Sequence, residues 1–321
     1  MYAHGRKTGC RISLDYTYKG MRVAFLENKV LQVGILIDKG ADLFEFTYKP
    51  RDLDFLWQSP IPLRRPFVAT SALPEGAFHD YYYGGWQEVL PSAGWAEQPY
   101  LGTYQGLHGE ISLLPFEAHI KEDSPHRVSL HLSTRCYRSP LLLERTMTLD
   151  AETPVLSISE RLVNESPEDF AVMWGHHPAF GEPFLDDSCV VQTPAKMVRV
   201  LEYHRNGLWE PGDDYRFPQV KNRRSGELQD VTRVLPKGTR SVDVILFGAS
   251  TRAGTGSLIG GNVLDSGWPG TSAYSNAFGC GRSTEGITTI RGMAARTTAR
   301  SSHSRAGLRS ESLRRSRTVP R

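Results

Sequence analysis

Between Thr251 and Arg321 the chain has no lysine, although lysine recurs throughout the residues before it. Nowhere is there a sustained helical stripe, a heptad pattern or a short internal repeat. Their absence argues against a helix bundle, a coiled coil or a solenoid. Cysteine is scarce. Cys10, Cys136, Cys189 and Cys280 make four, and no Cys-x-x-Cys spacing occurs, so neither a zinc site nor a disulfide framework is expected. No apolar run approaches the ~20 residues of a membrane-spanning helix. Residues 1–16 hold no apolar stretch of the kind a signal peptide needs. The expectation is a soluble protein of a reducing cytoplasm, with no membrane partner and no metal.

Charge is uneven along the sequence. The formal net charge is +3 and the pI about 8.6. Arginine-rich residues after 250 carry that excess, and the preceding 250 are net acidic. The basic pI therefore does not speak for nucleic acid. The basic segment has almost no aromatics interleaved to stack bases, so no nucleic-acid partner is expected. With 321 residues, 39% of them hydrophobic, the chain suits one large domain or two small ones with a sizeable core.

What is present reads as β. Segments near 21–27, 30–37, 41–48, 127–135, 141–149, 155–163, 169–175, 188–193, 197–203 and 241–247 alternate apolar with polar residues or form short β-branched runs. Lys19-Gly20, Glu27-Asn28, Asp38-Lys39-Gly40 and Lys49-Pro50 punctuate them as turns. Many strands in series predict a large antiparallel sandwich. Residues 58–118 differ, being rich in Pro, Gly and aromatics: Tyr81-Tyr-Tyr-Gly-Gly-Trp86, Trp95, Tyr100 and Tyr104 among them. Long loops of this kind usually carry function or cover an open end of the core.

Two histidine-bearing stretches stand out. His108 lies in Tyr104-Gln-Gly-Leu-His-Gly-Glu110, and His176 and His177 lie in Met173-Trp-Gly-His-His-Pro-Ala-Phe-Gly181. Histidine exchanges a proton near neutral pH, which suits reversible acid/base work. Pro178 and Gly181 break the strand just after His177, so its ring can face a cleft. Trp86 and its aromatic neighbours offer flat apolar faces to a sugar ring, and Gln87, Glu88 and Glu110 offer hydrogen bonds. The alternative is that His176 or His177 is a satisfied core histidine. Neighbours on a strand point to opposite faces, so His177 or else His176 faces the cleft, and His177 is favoured.

The segment after 250 admits a second explanation beside a disordered basic tail. Moving its codons by one base makes each new codon from the last base of one residue and the first two of the next. In that frame the residues from Ile290 to Thr298 permit YPWYGRTYN, and those from Ala299 to Arg305 permit GSLEPFT. The junction of Met293 with Ala294 forces the glycine of YPWYGR. Asp265 to Pro269 permit GFGLA, and Phe278 to Gly281 permit two tryptophans one residue apart. The domain expected from sequence is residues 1–248, with 249–321 an out-of-frame, disordered tail.

Gly84-Gly-Trp-Gln-Glu-Val-Leu-Pro91, Leu107-His-Gly-Glu110 and Gly175-His-His-Pro-Ala-Phe180 together resemble the galactose mutarotase-like superfamily, the aldose 1-epimerases and their bacterial relatives. Asp38-Lys-Gly-Ala-Asp-Leu43 resembles that family's N-terminal hairpin, and the likeness covers roughly residues 20–248. It implies an all-β fold, the galactose mutarotase-like β-supersandwich, cut short by the non-native tail. It implies a small-molecule sugar as partner and no cofactor. One histidine protonates the ring oxygen, a glutamate takes the anomeric hydroxyl proton, and the opened ring closes on its other face. By position, His177 fits the general acid, its His-Pro-Ala-Phe matching the family's His-x-x-Phe. His108 fits the second, substrate-binding histidine; His176, Trp86, Gln87, Glu88 and Glu110 are the further substrate-binding candidates. The base belongs in a C-terminal Glu-Pro motif that is missing in frame. The shifted frame permits it as LEPF across Arg300 to Ser304. The expected function is an impaired mutarotase-type isomerase. The alternatives are a non-catalytic carbohydrate-binding protein on the same fold and a basic-tailed interaction protein.

Overall fold

The protein is described by a computed structural model. It covers residues 6–60, 62–65, 76–92, 99–192, 196–202, 207–239, 241, 243–248, 257–259, 278–280, 283–291 and 294–300. In chain order the first half has β1 (Arg11–Tyr18), β2 (Met21–Glu27), β3 (Leu31–Leu36), β4 (Asp42–Tyr48), β5 (Leu53–Asp54), α1 (Gly76–Tyr81), β6 (Trp86–Val89), β7 (Glu117–Asp123), β8 (Arg127–Arg135) and β9 (Leu141–Asp150). The second half has β10 (Val155–Asn164), β11 (Phe170–Val172), β12 (Gly175–Pro178), β13 (Val190–Gln192), β14 (Met197–Leu201), β15 (Gly212–Arg216), β16 (Gln219–Lys221), β17 (Leu228–Asp230) and β18 (Val244–Gly248). Beyond it lie β19 (Ser257–Ile259), β20 (Phe278–Cys280), β21 (Ser283–Arg291) and β22 (Ala294–Arg300). Among the described residues α1 is the only α-helix.

Two sheets dominate. One runs β1-β2-β3-β4-β6-β12, with β5 paired to β4; the other runs β22-β21-β10-β9-β8-β7. Every named pairing is antiparallel. Strand alternation explains why they stack. Val128, Leu130 and Leu132 on β8, and Leu143, Met147 and Leu149 on β9, are fully buried, while their neighbours are less so. Ile35, Val33, Leu31, Leu43 and Phe46 meet them from the first sheet in one continuous core. Each such side chain contributes about 1.5–3 kcal/mol when removed from water.

The first sheet has a second apolar face. Met21, Val23, Leu36 and Tyr83 are buried there, with Phe25, Phe44 and Leu63 packed on them. This face points away from the sandwich interior, and it carries the candidate site. A satellite cluster of Val198, Val200, Trp209, Val220 and Val231 belongs to the short strands β14 to β18.

The strands anticipated at 21–27, 127–135, 141–149 and 155–163 match β2, β8, β9 and β10 within a residue. Within the segment read from sequence as a tail, the described residues form β19 to β22, and β21 takes the place beside β10. The remaining residues of 249–321 lie outside the described ones.

Candidate functional site

The site is built on the pairing of β6 with β12. His177 lies opposite Gln87, and His176 lies opposite Glu88. The two-residue period of a strand then splits four neighbours between two faces. Trp86, Glu88 and His176 enter the sandwich interior; Gln87 and His177 face outward.

On the outer face His177 meets aromatic company. Its ring centroid lies 5.0 Å from that of His108, 5.9 Å from Phe78 and 5.7 Å from Tyr82. Phe78 also sits 4.6 Å from His108, edge to face. Phe78 belongs to α1, so this short helix brings an apolar ring against both histidines. Tyr82 in turn leans on Trp57, with ring centroids 6.4 Å apart, and Trp57 is partly exposed. Burial lowers the basicity of His177 below the ordinary histidine range. Its Nδ1 is buried without a hydrogen-bond partner.

His108 is placed by an unusual turn. Its φ is +59°, flanked by Gly106 and Gly109, also at positive φ. Left-handed backbone is costly for a residue with a Cβ, so tertiary contacts must hold it there. Gly109 runs beside Leu90, where an added Cβ would lie 2.0 Å from the Leu90 carbonyl oxygen. The amide of Glu110 donates to that same oxygen at 3.0 Å. The glycine of His108-Gly109 is thus explained by close backbone contact. It brings the turn against the end of β6.

Behind the aromatic face is a polar floor. Lys39 Nζ donates to Asp42 Oδ2 at 2.6 Å and to the Ser112 carbonyl at 3.2 Å, and both side chains are essentially inaccessible. Burial pushes the Asp42 carboxyl up to about 6 despite the nearby Lys39. Gln87 lies beside this carboxylate without closing a well-shaped hydrogen bond to it.

The structure separates residues that the sequence grouped together. His108, His177 and Gln87 share the outer region. His176 instead reaches Glu160 Oε2, at 3.2 Å, inside the sandwich, and packs against Trp86, ring centroids 5.7 Å apart. Trp86 also touches Phe46 in the core. Glu88 is taken up by Arg145 and by the Trp174 indole N–H. Glu110 accepts from the Tyr137 and Arg138 amides, at 2.9 and 3.0 Å, and from Ser139 Oγ at 3.3 Å. Both carboxylates therefore serve the protein itself. The reason is the period-two geometry for Glu88, and for Glu110 the loop after β8, whose amides it holds.

Sequence reasoning passed over Phe78, Lys39 with Asp42, Arg145 and Glu160. For the last two a signal existed. Arg145 falls in the inward series Leu141, Leu143, Met147, Leu149, and Glu160 in the inward series Leu156, Ile158, Leu162. A charge at a core position of a half-buried strand demands a partner. Phe78 gave no such signal, being one of two aromatics, with Tyr81, in a six-residue helix.

A family model described as Domain of unknown function (DUF4432) matches residues 18–244. No curated protein matches the chain in sequence. Among solved structures, it is similar to a candidate aldose 1-epimerase from Klebsiella pneumoniae. Identity is 13%, over 90% of this chain and 73% of that one, with a TM-score of 0.56. A galactose mutarotase-like protein from Clostridium acetobutylicum is also similar, at 13% identity, 91% and 99% coverage and a TM-score of 0.50. The chain spans 27% of the length of a TPR-domain containing protein from Parabacteroides distasonis, with 56% of this chain covered, 15% identity and a TM-score of 0.41. The fold is the galactose mutarotase-like β-sandwich.

Proposed function

The chain belongs to the family described as Domain of unknown function (DUF4432), and on that premise we propose that it is a mutarotase-type protein acting on a small-molecule sugar. The observation that carries this is the meeting of His108 and His177, 69 residues apart in sequence, with ring centroids 5.0 Å apart beside Phe78 and Tyr82. Aromatic rings beside imidazoles suit a sugar, whose C–H face packs on a ring while its oxygens meet polar groups. On this reading His177 donates the proton to the ring oxygen. His108 and Gln87 hold hydroxyl groups, and Tyr82 and Phe78 contact the ring face. Neither metal nor organic cofactor takes part. Bond opening at the anomeric carbon also needs a base for the anomeric hydroxyl. We assign it to the glutamate of LEPF in the one-base-shifted frame across Arg300 to Ser304, so the chain in its present frame is impaired.

A second reading, a non-catalytic carbohydrate-binding protein, draws support from Glu88 and Glu110. Both are engaged by protein donors and so are poorly placed to serve as the base. The two readings separate in one experiment. NMR exchange between α and β anomers is followed for a panel of free hexoses, with the present chain and with a frame-restored one. Accelerated exchange in the restored chain, lost in His177→Ala, is the expected result. Hexose binding without accelerated exchange in the restored chain would establish the binding reading instead. Neither binding nor exchange would remove the sugar assignment.

A further inference from the structure

A register pair inside one sheet grips a register pair inside the other. Arg145 and Glu160 are directly opposed on β9 and β10, joined Nε to Oε1 at 2.6 Å, and almost completely buried. Against well-packed apolar residues, a buried ion pair adds little net stability. Its free valences here point across the sandwich. Arg145 Nη2 meets Glu88, and Nη1 donates to the Ala41 carbonyl at 3.1 Å. Glu160 Oε2 meets His176 Nε2 at 3.2 Å. Glu88 and His176 are themselves opposed on β6 and β12. One residue away along each strand, on the outer face, stand Gln87 and His177.

This grip matters because of where β12 lies. It has four residues and comes last in its sheet's strand order among the described residues, hydrogen-bonded there to β6. A short terminal strand with a ladder on one side frays readily. The bond from Glu160 to His176 ties it to the middle of the opposite sheet.

We propose that Arg145 and Glu160 are positioning residues: by holding Glu88 and His176 from within, they fix the height and orientation of His177 and Gln87 outside. This rests on the reading of His177 as the acting histidine. It assigns no contact with substrate to Arg145, Glu160, Glu88 or His176.

The test is made on the full chain by imidazole NMR, with the His177 signals identified by their loss in His177→Gln. Three variants are compared with the parent: Glu160→Gln, His176→Leu, and His176→Gln, whose amide can still donate to Glu160. The titratable groups facing His177, namely His108 and Tyr82, are unchanged in all of them. In Glu160→Gln and His176→Leu, β12 loosens, water reaches the His177 ring, and its titration midpoint rises toward the ordinary histidine range. Loss of the Glu160 charge by itself would lower that midpoint, so a rise reports hydration. His176→Gln returns the midpoint to that of the parent. A purely structural role would lower thermal stability while leaving the His177 midpoint in place, and that result overturns the proposal. Should Glu160→Gln fail to fold, the two His176 variants decide the matter alone. The titration needs no turnover. A frame-restored chain that fails to interconvert anomers therefore counts against the mutarotase reading and leaves this inference standing or falling on its own data.

Discussion

At the scale of the residue, His177 and Glu160 show burial acting in opposite ways. Desolvation disfavours the charged imidazole, so His177 is held below the ordinary histidine range. On the general-acid reading the proton-bearing form then grows as pH falls. Anomer interconversion by the frame-restored chain should rise as pH is lowered from 8 toward 6, measured as kcat/KM across a buffer series. A flat or falling profile would take the acid role from His177. Replacing it by alanine should cost on the order of 10²–10⁴ in rate, the usual consequence of losing a general acid. For Glu160, burial would raise the carboxyl, but His176 and Arg145, by charge and by hydrogen bonds, outweigh it and hold the group low, at about 2. A depressed carboxyl contributes stability above its unfolded value of ~4.3, and the contribution is lost as pH falls toward the folded value. Denaturant midpoints of the parent and Glu160→Gln should differ at pH 7 and converge between ~4 and 2. A gap independent of pH would mean that the charge of Glu160 is not what stabilises the fold.

At the scale of the element, the turn bearing His108 depends on Glu110. Its carboxylate accepts hydrogen bonds from three donors in residues 137–139. Glu110→Ala would strip the Tyr137 and Arg138 amides and the Ser139 hydroxyl of this acceptor. Breaking hydrogen bonds to a buried charged group costs about 2–3 kcal/mol, so urea unfolding should show a loss of that size. A variant of unchanged stability but weakened sugar binding would return Glu110 to the substrate. The same contrast explains what could be read from sequence. β8, β9 and β10 were legible because one face is buried and one is not, which prints an alternation along nine or ten residues. β6 was not, since Trp86, Gln87, Glu88 and Val89 are all buried and no alternation survives. In β1 the period breaks where the register shifts between Ser13 and Tyr16. His108 and His177 could be singled out by type and by their Gly and Pro neighbours. The division of labour between His176 and His177 needed the pairing of β12 with β6, which four residues of Gly-His-His-Pro cannot announce.

At the scale of the whole molecule, the question is what closes the second sheet beyond β10. In this structure β21 pairs with β10 along nine residues, setting Leu156 opposite Ile290 and Ile158 opposite Thr288. The sequence of β21 and β22, Ser283–Arg291 and Ala294–Arg300, is poor in large apolar residues. We propose that the shifted frame supplies the native partner. It permits two tryptophans across Phe278 to Gly281 and the YPWYGR run from Ile290 onward. Each large aromatic buried there would add about 1.5–3 kcal/mol. Restoring one base near codon 250 should therefore raise the unfolding free energy by several kcal/mol on this burial arithmetic, read from denaturant titration. It should also make the residues after 250 more resistant to limited proteolysis than they are in the present frame, because large aromatics there bury more apolar area. The two chains expressed side by side decide it. Equal stability, or a compact protease-resistant C-terminal segment in the present frame, would show that residues 251–321 are the sequence the fold was built on, and the assignment of the base to LEPF would go with the shifted frame.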